Sequence, residues 1–150
     1  MLWIFCIGQF YKEGLIAKDN MISVIIPTFN EEKYLPKLLN CIKNQSYKDY
    51  EIIVADANSK DKTRQIAKNY GCRIVKGGLP AAGRNNGAKA AKGSILLFLD
   101  ADVQFGENFL ENAVSEFEND LDVAGCYIRP IGSNFVDKIF FGIFNLWTFA

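Results

Sequence analysis

Histidine is absent from this chain of 150 residues, and neither charge is in excess, since 17 basic residues balance 17 acidic ones. Without histidine, these residues cannot form a serine–histidine triad, a histidine general base or a histidine-bearing zinc site. Without a net positive field, we expect no nucleic-acid partner. Carboxylates are therefore the first candidates for any chemistry.

Cysteine is scarce, and no two cysteines form a Cys-x-x-Cys pair. The four cysteines are Cys6, Cys41, Cys72 and Cys126. Their wide scatter disfavours a zinc knuckle and a compact disulfide framework, and it predicts reduced, buried thiols in a cytoplasmic protein. The apolar residues 1–10 have neither a basic start nor a small-residue cleavage site, so they do not resemble a signal peptide.

The pattern along the chain predicts three parts. Residues 1–20 are expected to be an N-terminal extension outside the core fold, because the first strand pattern begins after them. Residues 21–130 are expected to form the folded domain. Residues 131–150 are rich in phenylalanine and are expected to be a truncated continuation of the core; the alternative is an amphipathic element that meets a membrane surface.

Strand and helix patterns alternate through the folded domain. Strands are predicted at 22–26, where Pro27 closes the ladder, and at 51–56, 73–76, 94–99 and 123–128. The first helix is predicted at 32–44. The second is predicted between an N-cap at Ser59 or Asp61 and a stop at Gly71, and two more are predicted at 81–91 and 107–119. Alternation of nearly continuous apolar strands with helices predicts an α/β fold, a Rossmann-like, mostly parallel sheet with helices on both faces.

Two carboxylates one residue apart, Asp100 and Asp102, follow the apolar strand at 94–99. They point the same way if the extended geometry lasts through Ala101, because side chains alternate along a strand. Carboxylate oxygens suit Mg2+ or Mn2+, which keep positions open for the phosphate oxygens of a substrate. The pair therefore predicts a metal site and a nucleotide-diphosphate ligand; the alternative is a pair of turn or helix-capping acids.

Other polar candidates also follow the carboxyl ends of predicted strands, where ligands bind in open parallel sheets. They occupy 27–31, Asp56 and 77–84. The first strand is not followed by Gly-x-Gly-x-x-Gly, which disfavours a dinucleotide. A glycine-rich loop with a basic residue is also missing there, which disfavours a sugar-1-phosphate nucleotidyltransferase.

Four short segments follow successive predicted strands: PTFNEE at 27–32, VADANSKDKT at 54–63, GRNNG at 83–87 and FLDAD at 98–102. In this order they resemble the N-terminal, donor-binding half of the family 2 glycosyltransferases of the GT-A fold. The resemblance covers 22–128. It implies an inverting, metal-assisted transfer from a nucleotide-diphosphate sugar, with a UDP-sugar expected, to a lipid-linked or polysaccharide acceptor in the cytoplasm or at the inner face of the membrane.

The resemblance also implies a set of site residues. Those of the nucleotide-sugar pocket are Pro27, Thr28, Asn30, Glu31, Asp56, Arg84, Asp100 and Ala101. The metal ligands are Asp102 and Asp100. Glu31 would lie near the ribose.

Two of these residues have a specific predicted contact and a simpler alternative. Asp56 would accept a hydrogen bond from the base, since a carboxylate suits the imide N–H of uracil; the alternative is that it only ends a strand and starts a turn. Arg84, with the N–H groups of a helix N-terminus, would bind the diphosphate or the base; the alternative is a solvated surface arginine. Ser59, Asp61 and Thr63 are predicted to be helix caps.

A catalytic base is not identified in this sequence. The family takes it from an acidic motif well beyond the Asp-x-Asp strand, and no matching segment occurs here. Ala57 also stands where many relatives have a second aspartate. Four acids are predicted to form the polar face of a helix instead, namely Glu107, Glu111, Glu116 and Glu118. The competing hypothesis is therefore a truncated, non-catalytic nucleotide-binding module.

Overall fold

The structure is a computed structural model that describes residues 5–7, 20–117 and 123–125, with side chains described over 20–117. The strands are β1 Phe5–Ile7, β2 Ile22–Thr28, β3 Tyr50–Asp56, β4 Arg73–Lys76, β5 Ile95–Phe98 and β6 Val123–Gly125. The helices are α1 Leu35–Lys43, α2 Thr63–Asn69, α3 Pro80–Ala90 and α4 Phe109–Phe117.

The strands form one sheet in the order β4-β3-β2-β5-β1-β6. β4, β3, β2 and β5 are parallel to one another, so the mostly parallel sheet is confirmed. The register pairs Thr28 with Asp56, Asp56 with Lys76 and Ile25 with Phe98. The carboxyl ends of the four parallel strands therefore lie along one edge of the sheet, which we call the carboxyl edge.

Strand β1 departs from the expectation for the N-terminal segment. It lies between β5 and β6 and is antiparallel to both, with Cys6 opposite Leu97 on one side and Ala124 on the other. The expectation that residues 1–20 lie outside the core fold is therefore wrong for Phe5–Ile7. The physical reason is that β5 has a second edge of backbone N–H and C=O groups, and β1 pairs with it. The rest of that segment, and residues 131–150, lie outside the described residues.

Helices cover both faces of the sheet, as predicted. On one face, α1, α2 and α4 pack against alternate strand residues such as Val24, Val54 and Leu97. The periodic leucines and isoleucine of α1 are fully buried there. On the other face, α3 lies over Ile25, Ile53 and their neighbours. Burial on both faces explains why the strands are continuously apolar.

Two element boundaries differ from the prediction near the carboxyl edge. β2 continues through Pro27 to Thr28. Proline is tolerated there because the ladder to β5 ends at the pair of Ile25 with Phe98. Helix α1 begins at Leu35 instead of residue 32, because the backbone N–H of Tyr34 already turns back to the carbonyl of Glu31 at 3.1 Å.

Helix α3 approaches β2 closely through two glycines one turn apart. Gly83 and Gly87 are both buried in the helix. A Cβ on Gly87 would lie 2.3 Å from Cγ2 of Ile25, and a Cβ on Gly83 would lie 3.3 Å from Cβ of Pro27. The missing side chains let the helix axis lie close to the strand, and this contact places Arg84 at the carboxyl edge.

The described cysteines agree with the thiol prediction in part. Cys41 and Cys72 are free thiols. Cys72 is buried, and burial raises the pKa of its thiol to about 11. Cys41 is only partly buried. The side chains of Cys6 and Cys126 lie outside the described residues.

Candidate functional site

Thr28 and Asp56 meet at the carboxyl ends of β2 and β3. Both side chains are buried, and the Thr28 hydroxyl donates a hydrogen bond to Oδ1 of Asp56 at 3.2 Å. Ser59 donates its backbone N–H to Oδ2 at 3.1 Å and its hydroxyl to Oδ1. Arg64 Nε lies 3.8 Å from Oδ2. Asp56 thus holds the turn after β3, which is the simpler role weighed for it. Three hydrogen bonds use three of its four acceptor positions, and the remaining one is on Oδ2, the oxygen that faces Arg64.

Arg84 and Asp100 form an ion pair between α3 and the loop after β5. Arg84 Nη2 lies 2.7 Å from Oδ1 of Asp100, and their side chains are 23% and 21% exposed. The interpretation of Arg84 as a solvated surface arginine is therefore wrong. Its Nε is buried and has no hydrogen-bond partner among the described residues. This Nε–H is therefore a buried donor whose hydrogen bond is not made within the described residues.

The loop that contains Asp100, Ala101 and Asp102 is a turn. β5 ends at Phe98, and the Val103 N–H reaches the carbonyl of Asp100 at 3.3 Å. The extended geometry that would align the two carboxylates does not last through Ala101, so that expectation is corrected. The turn buries the Ala101 methyl group and leaves Asp102 exposed.

Both aspartates of this loop nevertheless act on the same neighbour, Glu31. Burial raises the pKa of the Glu31 carboxyl above its ordinary value, and the charges of Asp102, Asp61 and Asp100 raise it further. Three carboxylates therefore repel the charge of Glu31, and a cation bound near them would reduce this repulsion.

Within the part of the chain that the structure describes, no group of three or more Cys, Asp or Glu side chains is placed to hold a metal. Mg2+ commonly binds through one or two carboxylates together with substrate phosphates, so this finding does not conflict with the predicted chemistry. The donors at Asp100 and Asp102 fit an ion that a diphosphate helps to bind.

The raised pKa of Glu31 predicts a pH-dependent stability. Between the ordinary and the raised pKa, the native state binds more protons than the unfolded state, so stability falls as pH rises through that window. Glu31→Gln removes this cost and is expected to raise Tm near neutral pH by about one degree, a small effect because the group is partly solvated. The gain should disappear at a pH below the ordinary glutamate pKa.

Thermal unfolding of the two proteins at acidic and neutral pH measures this effect. Glu116→Gln, at an exposed position of α4, is the matched control. A gain in the Glu31 variant that persists unchanged at acidic pH would contradict the electrostatic explanation.

The loops that follow β2 and β3 are joined by hydrogen bonds that the sequence did not reveal. Asn30 and Asn58 have φ of 57° and 61°, left-handed values that asparagine tolerates better than most residues. The Asn30 N–H donates to Ser59 Oγ at 2.9 Å, and the Lys60 N–H donates to Asn30 Oδ1 at 2.8 Å. Each loop therefore holds the other in place. The only sign of this contact in the sequence is that β2 and β3 are expected to be neighbours in the sheet.

The N-cap of α2 is Lys62, which makes no side-chain cap hydrogen bond, so the prediction that Ser59, Asp61 and Thr63 are the caps is wrong. Asp61 accepts the backbone N–H of Thr63, the first residue of α2, at 2.9 Å. Ser59 bonds Asp56 and Asn30 instead of the helix. Thr63 is itself fully buried and contacts the loop after β2. These side chains therefore connect the loops of the site.

Comparison with known proteins gives a family match over most of the chain. A sequence model of the family described as Glycosyl transferase family 2 matches residues 23–141. The chain is 40% identical over 91 residues to the GalNAc(5)-diNAcBac-PP-undecaprenol beta-1,3-glucosyltransferase of Campylobacter jejuni, covering 54% of this chain and 29% of that relative. The chain covers only 18% to 38% of the length of the curated relatives that it matches.

Solved structures share the fold. The crystal structure of Staphylococcus aureus TarS in complex with UDP-GlcNAc aligns with a TM-score of 0.60 at 32% identity, covering 66% of this chain and 31% of that chain. The mannosyltransferase PcManGT from Pyrobaculum calidifontis, in complex with GDP-Man and Mn2+, aligns with a TM-score of 0.58 at 28% identity, covering 65% and 33%. The GT-A type of α/β fold is thereby confirmed.

None of the helices within residues 20–117 is both long and apolar enough to cross a membrane.

Proposed function

This chain belongs to glycosyltransferase family 2, and we propose that it binds a UDP-sugar through its carboxyl edge and passes the sugar to an acceptor with inversion at the anomeric carbon. The observation that carries the proposal is the placement of Arg84 beside Asp100, with a buried Nε that has no partner among the described residues. A guanidinium with an unpaired N–H, beside the partly exposed carboxylate of Asp100, suits a diphosphate that arrives with a divalent ion.

The nucleotide would occupy the ends of β2 and β3. Pro27 and Thr28 end β2, and Asn30 and Glu31 follow it. Side chains of Ser59 and Thr63 hold the backbone N–H groups of Asn30 and Glu31. Asp56 would use its remaining acceptor position for the imide N–H of the base. Support for UDP comes from the TarS complex with UDP-GlcNAc, whereas PcManGT is in complex with GDP-Man.

Asp102, with Asp100, would hold Mg2+ or Mn2+. When bound, such an ion neutralises the negative charge that develops on the leaving diphosphate. The residues of this chain contribute by binding and orientation: Arg84 holds the carboxylate of Asp100 in place, and the turn at Ala101 exposes Asp102. The excess negative charge at Glu31 supports a cation at this edge.

The acceptor is proposed from the relatives. The Campylobacter jejuni relative is named for an undecaprenol-linked substrate, which supports a lipid-linked acceptor and action at the inner face of the membrane. A polysaccharide acceptor is the other possibility that the sequence predicts. We assign no described acid as the catalytic base.

Calorimetric titration with UDP and GDP, each with and without Mn2+, tests the proposal. UDP is expected to bind more tightly than GDP, and only weakly once the metal is chelated. Binding of neither nucleotide in the presence of Mn2+ would contradict the donor site. A transfer assay with a labelled UDP-sugar then separates an active transferase from a module that binds the nucleotide without turnover.

A further inference from the structure

We propose that Thr63 is a positioning residue for donor binding, because its buried hydroxyl fixes the backbone of Glu31 at the carboxyl edge. This inference rests on the proposed function, in which Glu31 lines the nucleotide pocket. Thr63 is the first residue of α2, where the loop after β3 ends, whereas Glu31 belongs to the loop after β2. The hydroxyl thus joins two loops that are far apart in sequence.

The geometry of the contact is specific. The side chain of Thr63 is 0% exposed. Its Oγ1 accepts the backbone N–H of Glu31 at 2.8 Å and donates its own proton to Oδ1 of Asp61. Asp61 also accepts the N–H of Glu32 through Oδ2 at 3.0 Å. A short chain of hydrogen bonds therefore runs from the Glu31 amide through the hydroxyl to a carboxylate, and such chains strengthen one another.

Glu31 needs this contact because of where it lies in the loop. Its carbonyl accepts the N–H groups of Tyr34 and Leu35, so the start of α1 depends on it. The preceding residue, Asn30, has a φ of 57°. Other side chains bond the N–H groups on either side, Ser59 that of Asn30 and Asp61 that of Glu32. Thr63 supplies the bond to the Glu31 N–H between them. Losing the hydroxyl would free the Glu31 backbone to turn away from the ligand.

The test compares Thr63→Val, which removes the hydroxyl at similar size, with Thr63→Ser, which keeps it. UDP binding in the presence of Mn2+ is measured by calorimetry. We expect the valine variant to raise the Kd about tenfold, because it leaves the Glu31 backbone N–H without its acceptor, and the serine variant to stay within about twofold of wild type. Hydrogen exchange at the Glu31 amide should be faster in the valine variant only.

Ser23→Ala controls for a general loss of stability. Ser23 is also a fully buried hydroxyl in two hydrogen bonds, from its Oγ to Glu51 at 2.8 Å and from the Gly93 N–H at 2.9 Å, but it lies at the other end of β2. We expect this variant to lose stability and to keep its UDP affinity.

Three results would overturn the inference. The first is wild-type affinity in Thr63→Val; the second is an equal loss of affinity in Ser23→Ala. If Thr63→Val does not fold, the serine variant supplies the test. The third result is a Thr63→Ser variant that binds UDP tenfold more weakly although hydrogen exchange at the Glu31 amide stays slow. Wild-type protein that binds no nucleotide would instead overturn the proposed function together with this inference.

Discussion

Asp102→Ala is expected to abolish the effect of Mn2+ on UDP binding. Asp102 is the exposed carboxylate of the turn after β5, while Asp100 already pairs with Arg84 at 2.7 Å. Removing Asp102 leaves one partly neutralised carboxylate to bind the ion. We expect the affinity for UDP in the presence of Mn2+ to fall by about tenfold to a hundredfold or more. Loss of a group that only supports a metal ligand already costs about that much, and Asp102 is proposed as a ligand itself. Calorimetric titration of UDP at fixed Mn2+ measures it.

Glu116→Ala is the matched control for Asp102→Ala. It also removes one exposed carboxylate, but from α4. The control should bind UDP with Mn2+ as wild type does, which separates loss of a ligand from a change in overall charge. Equal affinities of Asp102→Ala and wild type in Mn2+ would show that Asp102 is not a metal ligand.

Gly87→Ala is expected to destabilise the fold although alanine is the better helix former. The added Cβ would lie 2.3 Å from Cγ2 of Ile25, a fully buried side chain of β2. Helix propensity favours the variant by about 1 kcal/mol, whereas overpacking of a core costs up to about 3 kcal/mol. The contact wins, so we expect a net loss of about 2 kcal/mol in the free energy of unfolding, measured by urea denaturation.

Gly87→Ala should also weaken UDP binding, because Arg84 lies one turn earlier on the helix that the new methyl group pushes outward. Gly106→Ala is the control: nothing lies within 4 Å of its added Cβ, and its φ is not among the positive values. It should change stability by no more than about 0.5 kcal/mol. A Gly87 variant as stable as this control would show that α3 can shift without cost.

Much of the sheet and the helices could be predicted because their signal is local. β4 is confirmed at 73–76, and the buried residues of α1 follow its helical period. β1 was missed because a three-residue strand has no measurable period, and only its place beside β5 makes it a strand. Short apolar runs are ambiguous until their partner is known.

The site shows the same limit. Strand order puts Asp56, Arg84 and Asp100 at one edge, and that placement follows from the alternation of strands and helices. The pairing of Arg84 with Asp100, and the link between Thr63 and Glu31, join residues from different loops. No spacing along the chain reports such contacts. The turn at Ala101 also escaped prediction, because an apolar strand pattern does not mark the residue at which it ends.

A crystal structure of this protein with UDP and Mn2+ tests the central claim most directly. An anomalous peak from manganese is expected roughly 2 Å from an oxygen of Asp102 and from the diphosphate oxygens, close to the ligand distances of Mg2+. Arg84 should contact the same nucleotide. A UDP molecule bound at the carboxyl edge with manganese absent, or an ion bound away from Asp102, would contradict the account.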